Sequence, residues 1–108
     1  MIKVAADWTK QPLYEQISET GKTALYLYTP LCGTCALAGK MMEVVEKLFP
    51  DYSFAKADIN YHKDFAYQYE IKSVPCLLIF HKKELKDKIY AFHSVPFIYE
   101  KLTQYQSG

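Results

Sequence analysis

The chain contains no arginine; all 13 of its Lys and Arg positions are lysine. The rigid guanidinium fork that pairs with phosphates and reads guanine edges is therefore missing. Against 12 Asp and Glu residues the formal charge is only +1, so neither a nucleic-acid partner nor a dominant electrostatic tail is expected. Long apolar runs are missing as well. The stretches around residues 25–28 and 76–80 fall far short of the roughly 18 residues that cross a bilayer, so neither a membrane span nor a membrane partner is expected. Glycine (4) and proline (5) are scarce and scattered, which excludes flexible linkers and low-complexity tracts. Half of the residues are hydrophobic, which excludes disorder and suits a single domain spanning residues 1–108. Cysteine is limited to 3, an odd number and too few for a disulfide framework. The segment 1–8 lacks the apolar stretch and small-residue cleavage site of a secretory signal, so the expected location is the cytoplasm, where thiols are kept reduced and any disulfide is transient.

What is present is an alternation of short apolar segments. Residues 2–4 read as a short strand, and 10–20 as a helix with Pro12 in its first turn and Leu13, Tyr14 and Ile17 inward. Residues 24–28, bounded by Thr29 and Pro30, read as a central strand buried on both faces. Across 35–49, Ala38, Met41, Met42, Val45, Leu48 and Phe49 recur at helical spacing, with Lys40, Glu43, Glu46 and Lys47 on the other side. Residues 52–59 alternate as a strand, Asn60 is expected to cap a helix over 61–69, and 76–80 form the next strand. A polar turn over 82–86, its hairpin partner over 87–92 and a closing helix over 95–104 complete the order β-α-β-α-β-α-β-β-α. Helical crossovers call for parallel strands and the final hairpin for an antiparallel pair, so the expected architecture is an α/β fold with a mixed sheet.

Cys32-Gly33-Thr34-Cys35 lies between the central strand and the long helix. Two cysteines three apart share one helical face and can bond without moving the fold. At the helix start, Cys32 meets unpaired N–H groups and the positive end of the helix dipole, both of which favour thiolate. Cys32 is therefore the expected nucleophile, and the more shielded Cys35 the group that attacks the mixed disulfide and releases a reduced substrate.

With Lys56 in the third strand, and Val74-Pro75 ahead of the apolar strand Leu77-Leu78-Ile79-Phe80, the chain resembles the thioredoxin family over nearly its full length. The resemblance implies the thioredoxin fold, with a mixed five-stranded sheet and four flanking helices. It also implies thiol–disulfide oxidoreductase activity, a cis bond before Pro75, and a substrate backbone held by Val74 and Pro75. Several departures from the family pattern are visible, among them the loss around Gly39-Lys40 of the proline that bends the family's second helix. Leu31 stands for tryptophan before the first cysteine. Thr34 stands for proline before the second, and with Gly33 it is expected to make the pair less reducing than in thioredoxin. Tyr26 stands for the buried aspartate that helps deprotonate the second cysteine, leaving that task to Lys56, solvent or a carboxylate such as Asp58. His93 stands near the expected loop glycine and is predicted to narrow the docking groove.

Cys76, directly after Pro75, reads as a small buried hydrophobe or as a third thiol within reach of the dithiol. The main expectation is exchange of a Cys32–Cys35 dithiol or disulfide with disulfide-containing protein substrates by a monomer without cofactor or metal. Its electrons would come from a thioredoxin reductase or a low-molecular-weight thiol. The alternatives are a redox-sensing or soft-metal-binding module using Cys32, Cys35 and Cys76, and a thioredoxin-fold adaptor without exchange activity.

Overall fold

The computed structural model describes residues 5–106. Its elements are β1 (Ala6–Asp7), α1 (Leu13–Gln16), β2 (Lys22–Tyr28), α2 (Gly33–Val45), β3 (Tyr52–Asp58), α3 (Lys63–Gln68), β4 (Cys76–His81), β5 (Glu84–Ile89) and α4 (Val95–Gln106). Short 3₁₀ turns follow α2 at Glu46–Leu48 and β3 at Ile59–Tyr61. The five strands form one mixed sheet in the order β1-β3-β2-β4-β5. β2 runs parallel to β3 and antiparallel to β4, and β4 is antiparallel to β5. Among the described residues no helix is long and apolar enough to cross a membrane.

β2 and β4 lie at the centre and are buried along nearly their whole length because both faces are covered. Successive side chains alternate between the two faces. Ala24, Tyr26, Leu77 and Ile79 join the core beneath α2 and α4, whereas Leu25, Leu27, Cys76, Leu78 and Phe80 join the core that includes Leu13, Ile17 and Phe65. Truncating one of the fully buried leucines, such as Leu27→Ala, removes about 2–5 kcal/mol by this packing.

The structure corrects several expected boundaries. The strand expected over 2–4 lies outside the described residues, and β1 pairs Ala6 with Ala55 and Asp7 with Lys56. The first helix is only one turn long, with Pro12 as its N-cap and Ile17 already extended. The Ser18 hydroxyl accepts the N–H groups of Thr20 and Gly21, closing a local turn that competes with helix. Tyr14 is exposed rather than buried. α2 starts at Gly33 rather than at residue 35 because the Cys32 side chain caps it, and it tightens into a 3₁₀ turn before Pro50. Within that stretch Leu48 is half exposed and Glu46, assigned to the polar side, is buried. Asn60 does not cap the third helix: the Asp58 carboxylate accepts the Asn60 N–H and caps the preceding 3₁₀ turn. β5 begins at Glu84, leaving only Lys82 and Lys83 at the hairpin tip.

Candidate redox site

Cys32 and Cys35 are joined as a disulfide with their Cα atoms 5.2 Å apart, within the usual range of about 4.4–6.8 Å. Cys32 is the N-cap residue of α2, in extended conformation, and its sulfur accepts the Cys35 N–H at 3.1 Å. The Thr34 hydroxyl oxygen stands 3.4 Å from the same sulfur. Two donors and the open end of a 13-residue helix therefore converge on Cys32, an arrangement that favours a thiolate there after reduction. Cys35 is one turn inside and only 4% exposed, while Cys32 is half-buried and the more accessible of the two.

Tyr26, buried on β2, donates its hydroxyl to the Cys35 carbonyl. Its ring stacks on Tyr28 and meets Phe92 edge-on. Burial, with Tyr28 adding to it, pushes its pKa up to about 12, so it keeps its proton at neutral pH. Lys56 is the register partner of Tyr26 on β3 and is exposed. Both line a cavity of about 670 Å³ that also has Cys32 and Cys35 in its wall. Glu46 lies in the same wall; its carboxylate accepts the Ala5 N–H at 3.3 Å, and desolvation holds its pKa above the usual carboxylate value. Sequence reasoning missed this group, although Glu46 follows Met42 by four residues and so shares its buried helix face. Asp58, occupied in capping, does not line the cavity.

On another side of the dithiol, the Val74–Pro75 peptide is cis and the Val74 carbonyl oxygen lies 3.8 Å from the Cys32 sulfur. Val74 and Pro75 are half-buried, and Leu31 is 99% exposed immediately before Cys32. Gly33 is the first residue of α2, with open space where a Cβ would stand. His93 is exposed at φ 53°, its ring edge-on to Phe97 at 4.6 Å.

Cys76 is free and fully buried, and it packs with the core on the sheet face away from α2. Burial pushes its thiol up to about 12, which leaves it protonated and unreactive at neutral pH. Among the described residues no three His, Cys, Asp or Glu side chains are grouped so as to hold a metal ion, so Cys32, Cys35 and Cys76 do not form the ligand set considered for a soft metal.

A mixed sheet that presents a Cys-x-x-Cys disulfide at a helix N-terminus beside a cis-proline loop defines a thiol–disulfide exchange protein of α/β architecture. The Thioredoxin family model matches residues 4–102, and the chain belongs to that family. It is 49% identical over 84 residues to the Thioredoxin-like protein YusE of Bacillus subtilis, an alignment covering 78% of this chain and 79% of the relative. It is 29% identical over 83 residues to a thioredoxin of Mycoplasmoides gallisepticum, covering 77% and 83% respectively. Among solved structures, a mutant thioredoxin from Halobacterium salinarum superposes with a TM-score of 0.82 at 18% identity, covering 96% of each chain. Thioredoxin from Trypanosoma brucei brucei superposes with a TM-score of 0.83 at 18% identity, covering 96% of this chain and 92% of its own. The expected thioredoxin fold is thus the fold observed, and the chain is a thiol–disulfide oxidoreductase.

Proposed function

We propose that the chain works as one domain over residues 1–108, a cytoplasmic monomer that reduces protein disulfides with Cys32 as nucleophile and Cys35 as resolving thiol. The Cys32 thiolate attacks one sulfur of the substrate disulfide, and the other substrate sulfur leaves as a thiolate and takes a proton. Cys35 then attacks the Cys32 sulfur, releases the second substrate thiol and leaves the Cys32–Cys35 disulfide. A thioredoxin reductase or a low-molecular-weight thiol returns the two electrons, and no dissociable cofactor enters the cycle. The cytoplasmic location rests on the small, odd number of cysteines.

The observation that carries this reading is the position of the Cys32 sulfur, the more accessible of the pair, at the helix start and 3.8 Å from the Val74 carbonyl. An extended substrate strand laid along Val74 and Pro75 would bring its disulfide to that sulfur, with Leu31 covering the apolar residues beside it. His93 borders the same docking face. Gly33 and Thr34 set the poise, and Thr34 does so through its hydroxyl. Tyr26 positions the Cys35 backbone and takes no proton, so deprotonation of Cys35 falls to solvent in the cavity, with the Lys56 charge favouring the thiolate.

Trapping tests the roles. Cys35→Ser is expected to accumulate a mixed disulfide between Cys32 and insulin, resolved by peptide mass spectrometry, and Cys32→Ser to accumulate none and to lose insulin reduction entirely. A substrate adduct on Cys35 or Cys76 in the wild-type chain would contradict the assignment.

A further inference from the structure

We propose that the cavity between α2 and β3 binds a low-molecular-weight thiol carrying a carboxylate, which acts as the reductant of the Cys32–Cys35 disulfide. The proposal rests on the exchange reading above and adds to it the binding site of the electron donor. At about 670 Å³ the cavity matches small-molecule sites, which run from about 300 to 1,000 Å³. Both redox cysteines stand in its wall, whereas Leu31, Val74, Pro75 and His93 do not. It is therefore a second approach to the disulfide, separate from the face on which a protein substrate would lie. Tyr26, Pro30 and Phe54 supply apolar lining.

The charges of the cavity are ordered along α2. Lys40 follows Cys35 by five residues, a rise of about 7.5 Å, and Lys56 is the register partner of the tyrosine that bonds the Cys35 carbonyl. Glu43 and Glu46 follow Cys35 by eight and eleven residues, about 12 and 16 Å along the helix, with Lys47 beside them. Glu46 is also engaged by the Ala5 N–H and faced by Lys56 and Lys47. Lys40 is thus the charged side chain of α2 nearest the sulfurs in this wall, while Lys56 also faces Glu46. A thiol with a carboxylate close to its sulfur would pair that carboxylate with Lys40 as it approaches the disulfide, whereas an ammonium there would meet like charge.

The reaction balances with two such thiols. The first attacks the Cys32 sulfur as thiolate; the Cys32–Cys35 bond breaks, and Cys35 leaves with the electron pair and takes a proton. A second thiolate attacks the ligand sulfur of the mixed disulfide, releasing the Cys32 thiolate and one molecule of the ligand's disulfide. Two thiols are oxidised and one protein disulfide is reduced.

The test compares mercaptopropionate, mercaptoethanol and cysteamine as reductants of the oxidised full chain, with rates expressed per thiolate and followed by quench, alkylation and mass spectrometry. Mercaptopropionate is expected to show saturation and a rate about tenfold above mercaptoethanol, with cysteamine slowest. Lys40→Glu, an exposed change on α2, is expected to abolish both the saturation and the preference, and Lys40→Arg to keep them. Equal rates for the three thiols, or a preference that survives Lys40→Glu, would overturn the proposal. Insulin reduction by the dithiothreitol-reduced wild-type chain separates the two levels. Its loss would sink the exchange reading, whereas its persistence without thiol preference would sink only the donor site.

Discussion

Thr34 occupies the position where the resemblance to the thioredoxin family implies proline, and its hydroxyl oxygen lies 3.4 Å from the Cys32 sulfur. A hydroxyl there donates to a thiolate, which a proline ring cannot do, and it therefore stabilises the reduced state relative to the disulfide. Thr34→Val keeps the shape and removes the donor. Its redox potential is expected to fall by on the order of 20–30 mV, corresponding to roughly 1 kcal/mol, in equilibrium with dithiothreitol buffers. An unchanged or higher potential would show that the hydroxyl has no such role. The dithiol was legible in the sequence because its chemistry is local: two cysteines at helical spacing after an apolar strand need no tertiary information. Cys76 was not legible in the same way. Its place on β4 follows from the pattern, but which sheet face it meets depends on where α2 packs, and the structure turns it to the face opposite α2.

At the scale of elements, the strand and helix order followed from apolar periodicity, and most expected boundaries moved where a side chain or an unusual backbone state intervened. Glu70, Lys82, Lys83 and His93 all take positive φ without being glycine, so the usual glycine and asparagine signals of turns are absent from the sequence at these points. Lys82 and Lys83, at φ 52° and 68°, make a two-residue hairpin tip, a turn that asparagine-glycine would announce. Glu70 ends α3 at the position where a left-handed residue is usual, with the Ile71 N–H bonding back to the Ala66 carbonyl at 2.8 Å. Glu70→Gly and Lys82→Asn are each expected to stabilise by about 1 kcal/mol, raising Tm by about 4–8 °C in a thermal melt. Lys83→Gly is expected to gain less, because Lys83 donates to the Tyr14 carbonyl at 2.8 Å and stands over that ring at 4.2 Å. A lower Tm for both Glu70→Gly and Lys82→Asn would contradict the strain assigned to these turns.

For the whole molecule, covering the sheet on both faces buries groups that titrate on the alkaline side. Burial raises the Cys76 thiol from 9.0 to about 12, and the Tyr26 and Tyr52 hydroxyls from 10.0 to about 12. The folded chain therefore holds these protons more tightly than the unfolded one. Their contribution to stability is complete below the unfolded values and is lost as pH climbs from about 9 toward 12. Urea midpoints are expected to fall steadily across that range, and Cys76→Ala, though less stable at neutral pH, to show a shallower fall. A midpoint independent of pH there, or an identical slope in Cys76→Ala, would contradict this burial. The same two-sided cover explains why Glu46 escaped sequence reasoning: a carboxylate at the edge of an apolar helix face is buried only because Ala5 beside β1 and the 3₁₀ end of α2 close over it.

The most direct test of exchange through the Cys32–Cys35 pair is equilibration of the chain across defined dithiothreitol redox buffers, followed by acid quench, alkylation and peptide mapping. The expected result is one two-electron transition that joins Cys32 to Cys35, at a potential above the about −270 mV of thioredoxin, with Cys76 alkylated only after denaturation. Failure of that bond to form, or a disulfide that includes Cys76, would contradict it.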